Sequence, residues 1–254
     1  MTAIEISPRV YREDPALPGY WFYGDLRIQA DVETHRFVVD YARRHLPAGT
    51  EVLDVAAGEG ALMLQLQDAG LSVTGTSWND KCRVTAPTFR VDLDSPFSSA
   101  DVGGRRFPLV CCIEIIEHLE NPSSFLRHCA SLVAAGGWLI VSTPNVESAA
   151  ARLQWLVRGQ PDMFSREEIE HNRHIAMMWR EGIEYLIGLA GFKIVEKHLL
   201  GAFRLRPGIS GGLKRLAYGL MERFLPGDTR GTTRLYVLAL SGDSPRELGP
   251  TDVY

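Results

Sequence analysis

The chain reads as an α/β protein built on a doubly wound, mostly parallel sheet of seven strands. Three observations predict this. Short apolar or β-branched runs alternate with amphipathic helical stretches along most of the 254 residues, the order that gives a parallel sheet with helices on its faces. Residues 109–113 are apolar throughout, as in a strand covered on both sides. The stretch Val52-Leu53-Asp54-Val55-Ala56-Ala57-Gly58-Glu59-Gly60 carries an apolar run through an acid into a small-residue turn and a helical pattern. Open α/β sheets place a ligand at such a strand–turn–helix unit.

The elements follow in order. Residues 1–29 are rich in proline and aromatic residues, end near Tyr20-Trp21-Phe22-Tyr23, and read as an irregular arm. The main domain is expected over 30–241, with a tail at 242–254. A helix over 31–46 places Val32, Phe37, Val38, Tyr41, Ala42 and Leu46 at helical spacing, and Pro47 and Gly49 stop it. Strand one is 51–56, and helix 59–69 is closed by Gly70. Strands two and three fall at 73–76 and 89–92, and so short a gap leaves little room for a helix between them. Strand four is 109–113. Asn121-Pro122 starts a helix as cap and first residue, Gly136-Gly137 is expected to end it, and strand five is 138–142. Residues 146–178 are less regular, with a helix over 148–158 closed by Gly159. A helix over 180–190 ends at Gly191, strand six is 192–199, and a last strand over 233–241 lacks a normal crossover and is expected to run antiparallel.

The composition excludes several classes. The hydrophobic fraction is 45% and the net charge −4, so no general basic field exists to hold nucleic acid. Cys82, Cys111, Cys112 and Cys129 show no metal-type spacing, and the buried look of the central pair suits a reducing compartment. No leader-like segment or apolar run of ~20 residues is visible, which makes a cytoplasmic protein the expectation.

The glycine turn separates the cofactor classes. A dinucleotide fingerprint needs a third glycine where Met63 stands, and a phosphate-cradling G-x-x-x-x-G-K-[ST] string is absent. What remains resembles motif I of class I S-adenosylmethionine (SAM)-dependent methyltransferases, with Ala56 in place of the first glycine. Phe107-Pro108-Leu109-Val110-Cys111-Cys112-Ile113-Glu114-Ile115-Ile116-Glu117-His118-Leu119-Glu120-Asn121-Pro122 and Gly136-Gly137-Trp138-Leu139-Ile140-Val141-Ser142-Thr143-Pro144-Asn145 resemble successive blocks of the ubiquinone-biosynthesis O-methyltransferase type. The resemblance covers residues 30–200 and implies a Rossmann-like methyltransferase fold.

Carried over by position, the resemblance implies that Asp54, Ala56, Gly58 and Gly60 shape the pocket for the methionine end of SAM. It implies that Asp92 accepts from the adenine amino group, a role a carboxylate can fill, and that Ile113 and Glu114 line the methyl-transfer end. The ribose-binding acid of the family is replaced by Ser77, so either Asp80 reaches back or Ser77 and Asn79 hold the ribose. Trp78 stacks on adenine or fills core.

Methyl transfer needs in-line alignment, and a hydroxyl acceptor also needs its proton removed. Glu114-x-x-Glu117-His118 offers a base, His118, and, if one helical turn forms, a shared face of Glu114, Glu117 and His118 suited to Mg²⁺, Mn²⁺ or Zn²⁺. The same string is associated with a divalent metal in the ubiquinone-type enzymes and in small-RNA 2′-O-methyltransferases, where a downstream His completes the site. His171 and His174 are the candidates here, with His174 a base or a further ligand. Otherwise Glu117 and His118 cap the next helix and orient the loop.

The expected activity is O-methylation of a small or carrier-linked molecule such as a sugar, phenol, quinone or natural-product intermediate. RNA 2′-O-methylation and a non-catalytic scaffold are the alternatives; the net charge argues against the first and the intact acids against the second. The helical insertion at 201–232 carries Leu213, Leu216, Ala217, Leu220, Met221 and Phe224 at helical spacing. It is either a lid or dimer helix packed on the domain or, through 209–225, a peripheral membrane contact.

Overall fold

The computed structural model describes residues 10–17, 19–161, 163–202 and 209–242. Its centre is a seven-stranded sheet formed by β4 (Glu51–Val55), β5 (Ser72–Ser77), β6 (Thr88–Arg90), β7 (Phe107–Cys112), β8 (Val133–Pro144), β9 (Phe192–Leu200) and β10 (Thr233–Leu240). The spatial order is β6-β5-β4-β7-β8-β10-β9. The first five strands are parallel. β10 lies between β8 and β9 and runs antiparallel to both. The chain winds outward from β4 in both directions, so a crevice opens beyond the carboxyl ends of β4 and β7.

Strand alternation builds two cores. Leu53, Val110, Leu139 and Tyr236 face one side of the sheet, where helices α3 (Pro122–Cys129) and α6 (Arg180–Leu189) contribute Phe125, Leu126, Ile183 and Ile187. Val52, Leu109, Ile140 and Leu235 face the other, against Val38, Tyr41, Leu62 and Leu66 of α1 (Val32–His45) and α2 (Ala61–Asp68). Local chemistry sets the helix ends. The Asp31 carboxylate accepts from Glu33 N to start α1. Asn121 accepts from Ser124 N ahead of Pro122. Left-handed Gly159 closes α4 (Ala149–Arg158), which Ser148 caps.

Three expectations are corrected. Residues 11–28 are not irregular: β1 (Tyr11–Glu13), β2 (Trp21–Tyr23) and β3 (Leu26–Ile28) form an antiparallel sheet. Leu26 and Ile28 bury against Val32 and Ala61 and so anchor it to α1 and α2. Gly136-Gly137 does not end a helix, since α3 already stops at Cys129 and both glycines lie inside β8. There the register slips between Phe107↔Val133 and Leu109↔Trp138. Gly136 adopts φ +74°, and a Cβ on Gly137 would lie 2.8 Å from Pro108 O; a bulge needs glycine at such positions. The irregular stretch also holds a further helix, α5 (Arg166–Asn172), capped by Ser165. Residues 78–87, between β5 and β6, carry no helix, as expected. The insertion folds as α7 (Ile209–Phe224). Among the described residues, no helix is long and apolar enough to cross a membrane.

Candidate active site

A small open cleft lies at the carboxyl end of β4, lined by Asp54, Ala56, Ile113 and Glu114, with Ala61 and Leu62 of α2. The turn that shapes it is held by β5: Thr76 accepts from Ala56 N through its hydroxyl (3.0 Å) and from Ala57 N through its carbonyl (2.9 Å). Ala56, Gly58 and Gly60 all take positive φ, at 62°, 55° and 94°. Glycine avoids a close contact at two of these places. A Cβ on Gly58 would run into Gln29 Oε1, and one on Gly60 would lie 2.6 Å from Val84 Cγ2. Ala56 holds the left-handed conformation without that freedom, at a cost of about 1 kcal/mol.

Buried Asp54 and half-buried Glu114 face this cleft. Burial pushes the Asp54 carboxyl up to about 8. Burial also lifts Glu114 to about 7, with a hydrogen bond from Ser142 opposing the shift and the charge of Asp31 adding to it. Ser142 Oγ accepts from Glu114 N (3.0 Å) and donates to Glu114 Oε1 (2.8 Å), which fixes this residue at φ +48°.

The rest of the wall comes from β3, the link after it and α1: Arg27, Gln29 and Ala30, and His35. Sequence reasoning missed these residues: Arg27 sits in a three-residue strand with no readable period, and the turn of the link that brings Gln29, Ala30 and His35 over the cleft has no pattern of its own. His35 is buried, and desolvation brings its pKa down to about 4. Its Nδ1 lies 3.0 Å from Gln65 Nε2, which can only donate, so Nδ1 accepts and Nε2 carries the proton. Gln65 Oε1 in turn accepts from Tyr11 OH at 2.8 Å.

Ser77, Trp78, Asp80 and Asp92 lie beyond the lining of this cleft, at the ends of β5 and β6. Ser77 is buried and its hydroxyl donates to Asn79 O. Trp78 is 59% exposed under the Arg90 guanidinium, so it does not fill core. Asp80 is exposed. Asp92 accepts from Asp94 N (3.1 Å) and Ser95 Oγ (2.8 Å), which closes a turn on the surface.

Beyond Glu114 the chain makes a short 3₁₀ turn, Ile116–His118. Glu114 precedes that turn with left-handed backbone, so it does not share a face with Glu117 and His118; the expected Glu114–Glu117–His118 ligand set is not formed. The group that does assemble is Glu117, His118 and His174, with one ligand atom from each within 4.8 Å of the others. Ile175 N and Ala176 N both donate to Glu117 O at 2.9 Å, and this clamps the His174 segment onto the turn. Arg173 supplies the corner, ending α5 at φ +57°. His171 stays on α5, bonded to Glu167 O and exposed, outside the group.

The two imidazoles are locked alike. His118 Nδ1 lies 2.6 Å from Asn172 O, and His174 Nδ1 lies 2.7 Å from Met163 O. A carbonyl can only accept, so each Nδ1 carries the hydrogen and each Nε2 keeps a lone pair. Burial and the neighbouring His174 lower the His118 pKa. Glu117 is fully buried, and neither carboxylate oxygen makes a hydrogen bond of normal geometry, although its own amide and the Thr143 hydroxyl lie close enough to favour the charged form. Burial, then the nearby Glu114, push its carboxyl well above the usual range.

This geometry can be set beside known proteins. The family model of the methyltransferase domain matches residues 28–197. The chain belongs to that family. It is 31% identical over 140 residues to the ubiquinone biosynthesis O-methyltransferase of Chromobacterium violaceum, covering 51% of this chain and 60% of that protein. Overlap with the first three curated relatives runs from 42% to 60% of their length, so the chain spans about half of the relatives it matches. Among solved structures, a SAM-dependent methyltransferase from Archaeoglobus fulgidus superposes with TM-score 0.53 at 15% identity, over 80% of this chain and 93% of that one. The magnesium protoporphyrin IX methyltransferase of Synechocystis PCC 6803, solved with bound S-adenosylhomocysteine, gives TM-score 0.53 at 17% identity, over 81% of each chain. These two likenesses establish the fold. The family match stops at residue 197, so α7 and β10 lie outside it.

Proposed function

We propose that the protein is a SAM-dependent O-methyltransferase acting on a hydroxyl of a small or carrier-linked molecule. The observation that carries this reading is the pair of imidazoles with free Nε2 lone pairs, set beside the buried Glu117 and three residues past the wall of the cleft. The names of the curated relatives support the same chemistry.

In this reading the cleft takes the methionine end of SAM. The cofactor brings a sulfonium and an ammonium, and Asp54 and Glu114 supply the negative charge to meet them. Burial drives both acids toward the neutral form, and a cation beside them favours the ionised state. The Arg27 side chain and the His35 Nε2–H are donors for the cofactor carboxylate. Ser77, Asp80 and Asp92, with the Trp78 ring, lie along the strand ends where ribose and adenine would extend.

The supply side is simple: the methyl carbon leaves sulfur as its bond to the acceptor oxygen forms. The chain must hold that oxygen in line and take its proton. His118 Nε2 is the proton acceptor, neutral because burial depresses its pKa. His174 shares the site at a ring-centroid distance of 4.7 Å, near-perpendicular to His118.

The same three residues fit a divalent cation. Two imidazole nitrogens and one buried carboxylate suit Zn²⁺ or Mn²⁺ better than the all-oxygen preference of Mg²⁺. Such an ion would be held by Glu117, His118 and His174 and would acidify the acceptor hydroxyl.

Calorimetric titration with S-adenosylhomocysteine, followed by a screen of hydroxylated acceptors with and without chelator, tests the reading. Binding, and turnover on a phenol or sugar hydroxyl, is expected. A folded sample that binds neither SAM nor its product, with Zn²⁺ or Mn²⁺ present, refutes it. Turnover insensitive to chelator leaves His118 alone as the proton acceptor.

A further inference from the structure

Helix α7 turns its apolar row away from the protein. Leu216, Leu220 and Phe224, spaced by four residues, are 61%, 51% and 74% exposed. Ala217, Tyr218 and Met221 on the other side are half-buried. A helix docked as a lid would bury the first set instead. α4 packs against α7, and its last turn exposes Leu156 at 83% and Val157 at 73%. Five large apolar side chains exposed on two packed helices exceed what a soluble surface usually shows.

Charge says what covers them. Residues 201–232 hold six Lys and Arg against two Asp and Glu, whereas the whole chain carries net charge −4. The segment therefore carries net +4, and the rest of the chain net −8. The two acids of the segment are already engaged, Glu222 with Arg230 and Asp228 with Lys197 and Arg234. Arg215 and Arg223 are exposed on α7, and the Arg223 guanidinium lies over the Phe224 ring. An apolar row edged by arginines fits the boundary between acyl chains and anionic headgroups. A second copy of the chain in a two-fold contact would press this basic rim against itself.

We propose that the outward face of α7, with the exposed end of α4, docks on an anionic lipid bilayer. The placement gives the docking a use. β10 starts at Thr233 opposite Pro144, the carboxyl end of β8, so α7 precedes β10 at the edge of the sheet that carries Asp54 and Glu114. A bilayer there would present a membrane-dissolved acceptor to the cleft. Only this last step rests on the proposed methyl transfer; the docking does not.

The test is co-flotation of the full chain with phosphatidylcholine vesicles, with and without phosphatidylglycerol. Binding to the mixed vesicles is expected, weakened about tenfold or more without the anionic lipid. Leu216→Ser with Leu220→Ser and Phe224→Ser should weaken it about tenfold or more. Arg215→Gln with Arg223→Gln should weaken it about fivefold per charge; this pair carries the test if the apolar variant fails to fold. Melting temperature and S-adenosylhomocysteine binding should stay at parental values in the arginine variant, so failure of docking is separable from failure of the cofactor site. Absence of flotation with either vesicle overturns the proposal, as does undiminished flotation of both variants. A mass by light scattering that halves in the apolar variant, with no vesicle binding by the parent, assigns the face to a second copy instead.

Discussion

Replacing Asp54 with Asn should make the protein more stable and abolish its cofactor site. In the unfolded chain this carboxyl ionises near 3.8, whereas burial in the fold lifts it to about 8. Between those values the folded state holds a proton that the unfolded state has released. A raised folded pKa means that the stability from this group is fully present below about pH 4 and is lost as pH climbs toward 8. Each pH unit in that window costs about 1.4 kcal/mol, so the ideal loss by pH 7 is about 4 kcal/mol. Relaxation and water entering the open cleft reduce such penalties, and a realised cost on the order of 2 kcal/mol is expected. Asn keeps the shape and cannot ionise. Urea unfolding at pH 4 and pH 8 should show Asp54→Asn more stable than the parent by about 2 kcal/mol at pH 8, with the gap nearly closed at pH 4. In a chain this long, that gap corresponds to a melting shift of roughly 4–8 °C. S-adenosylhomocysteine binding should be lost in the same variant. A gap that does not change with pH would show that Asp54 is not the titrating group. An Asn variant less stable at pH 8 would show that the carboxylate is satisfied in the fold, and retained ligand binding would move the cofactor elsewhere.

Ala56→Gly relieves a left-handed alanine worth about 1 kcal/mol, offset by the greater freedom of glycine in the unfolded chain. A gain of about 0.5 kcal/mol in urea unfolding is expected, with cofactor affinity unchanged; a loss of stability would contradict the strain. Arg234 is fully buried and bonds Asp228 (3.0 Å), Asn145 (2.9 Å) and Glu147 (2.5 Å). Arg234→Met removes a buried cation from Asp228 and Glu147, which keep only Lys197 and the Arg180 amide, and should cost about 3 kcal/mol, against less than about 0.5 kcal/mol for exposed Arg230→Met. His118→Gln should lower turnover by about 10²–10⁴-fold, with S-adenosylhomocysteine affinity held within about twofold; equal losses in both would make His118 structural.

The sheet was legible because its strands announce themselves. The run at 109–113 is apolar on both faces, and the cores on either side of β7 show why. The antiparallel β10 was also legible, from the missing crossover ahead of it. What was hidden is local. Gly136-Gly137 looks like a helix stop and is a bulge, because only the partner strand reveals that Pro108 O crowds Gly137. Helix α5 is seven residues long and buries none of its side chains, so it has no apolar stripe to read. The acids of the cleft could be placed from the strand ends that carry them. The histidine group could be placed only in part. Spacing joined Glu114 to Glu117 and His118 on an assumed α-turn, but the 3₁₀ turn begins after Glu114. The third member, His174, arrives from 56 residues beyond His118 beside two backbone bonds to Glu117 O; the resemblance named it only as one of two candidates with His171, and spacing could not choose between them.

Backbone strain points to the same two pockets. Among the described residues, four other than glycine take positive φ: Ala56, Glu114, Met163 and Arg173. Ala56 and Glu114 line the cleft. Met163 offers the carbonyl that fixes the His174 tautomer, and Arg173 turns the chain so that His174 enters. Each such conformation costs about 1–3 kcal/mol and persists only where its surroundings over-determine it. Scattered folding imperfections would not select the wall of one cleft and the holder of the adjoining histidine. The strain therefore argues for function at both pockets independently of any motif. It also explains how Ala56 can stand where the family pattern has glycine: bonds from Thr76 to the two successive amides impose the turn, and the residue type alters stability rather than shape. On this argument the departure at Ala56 is no sign of a decayed site.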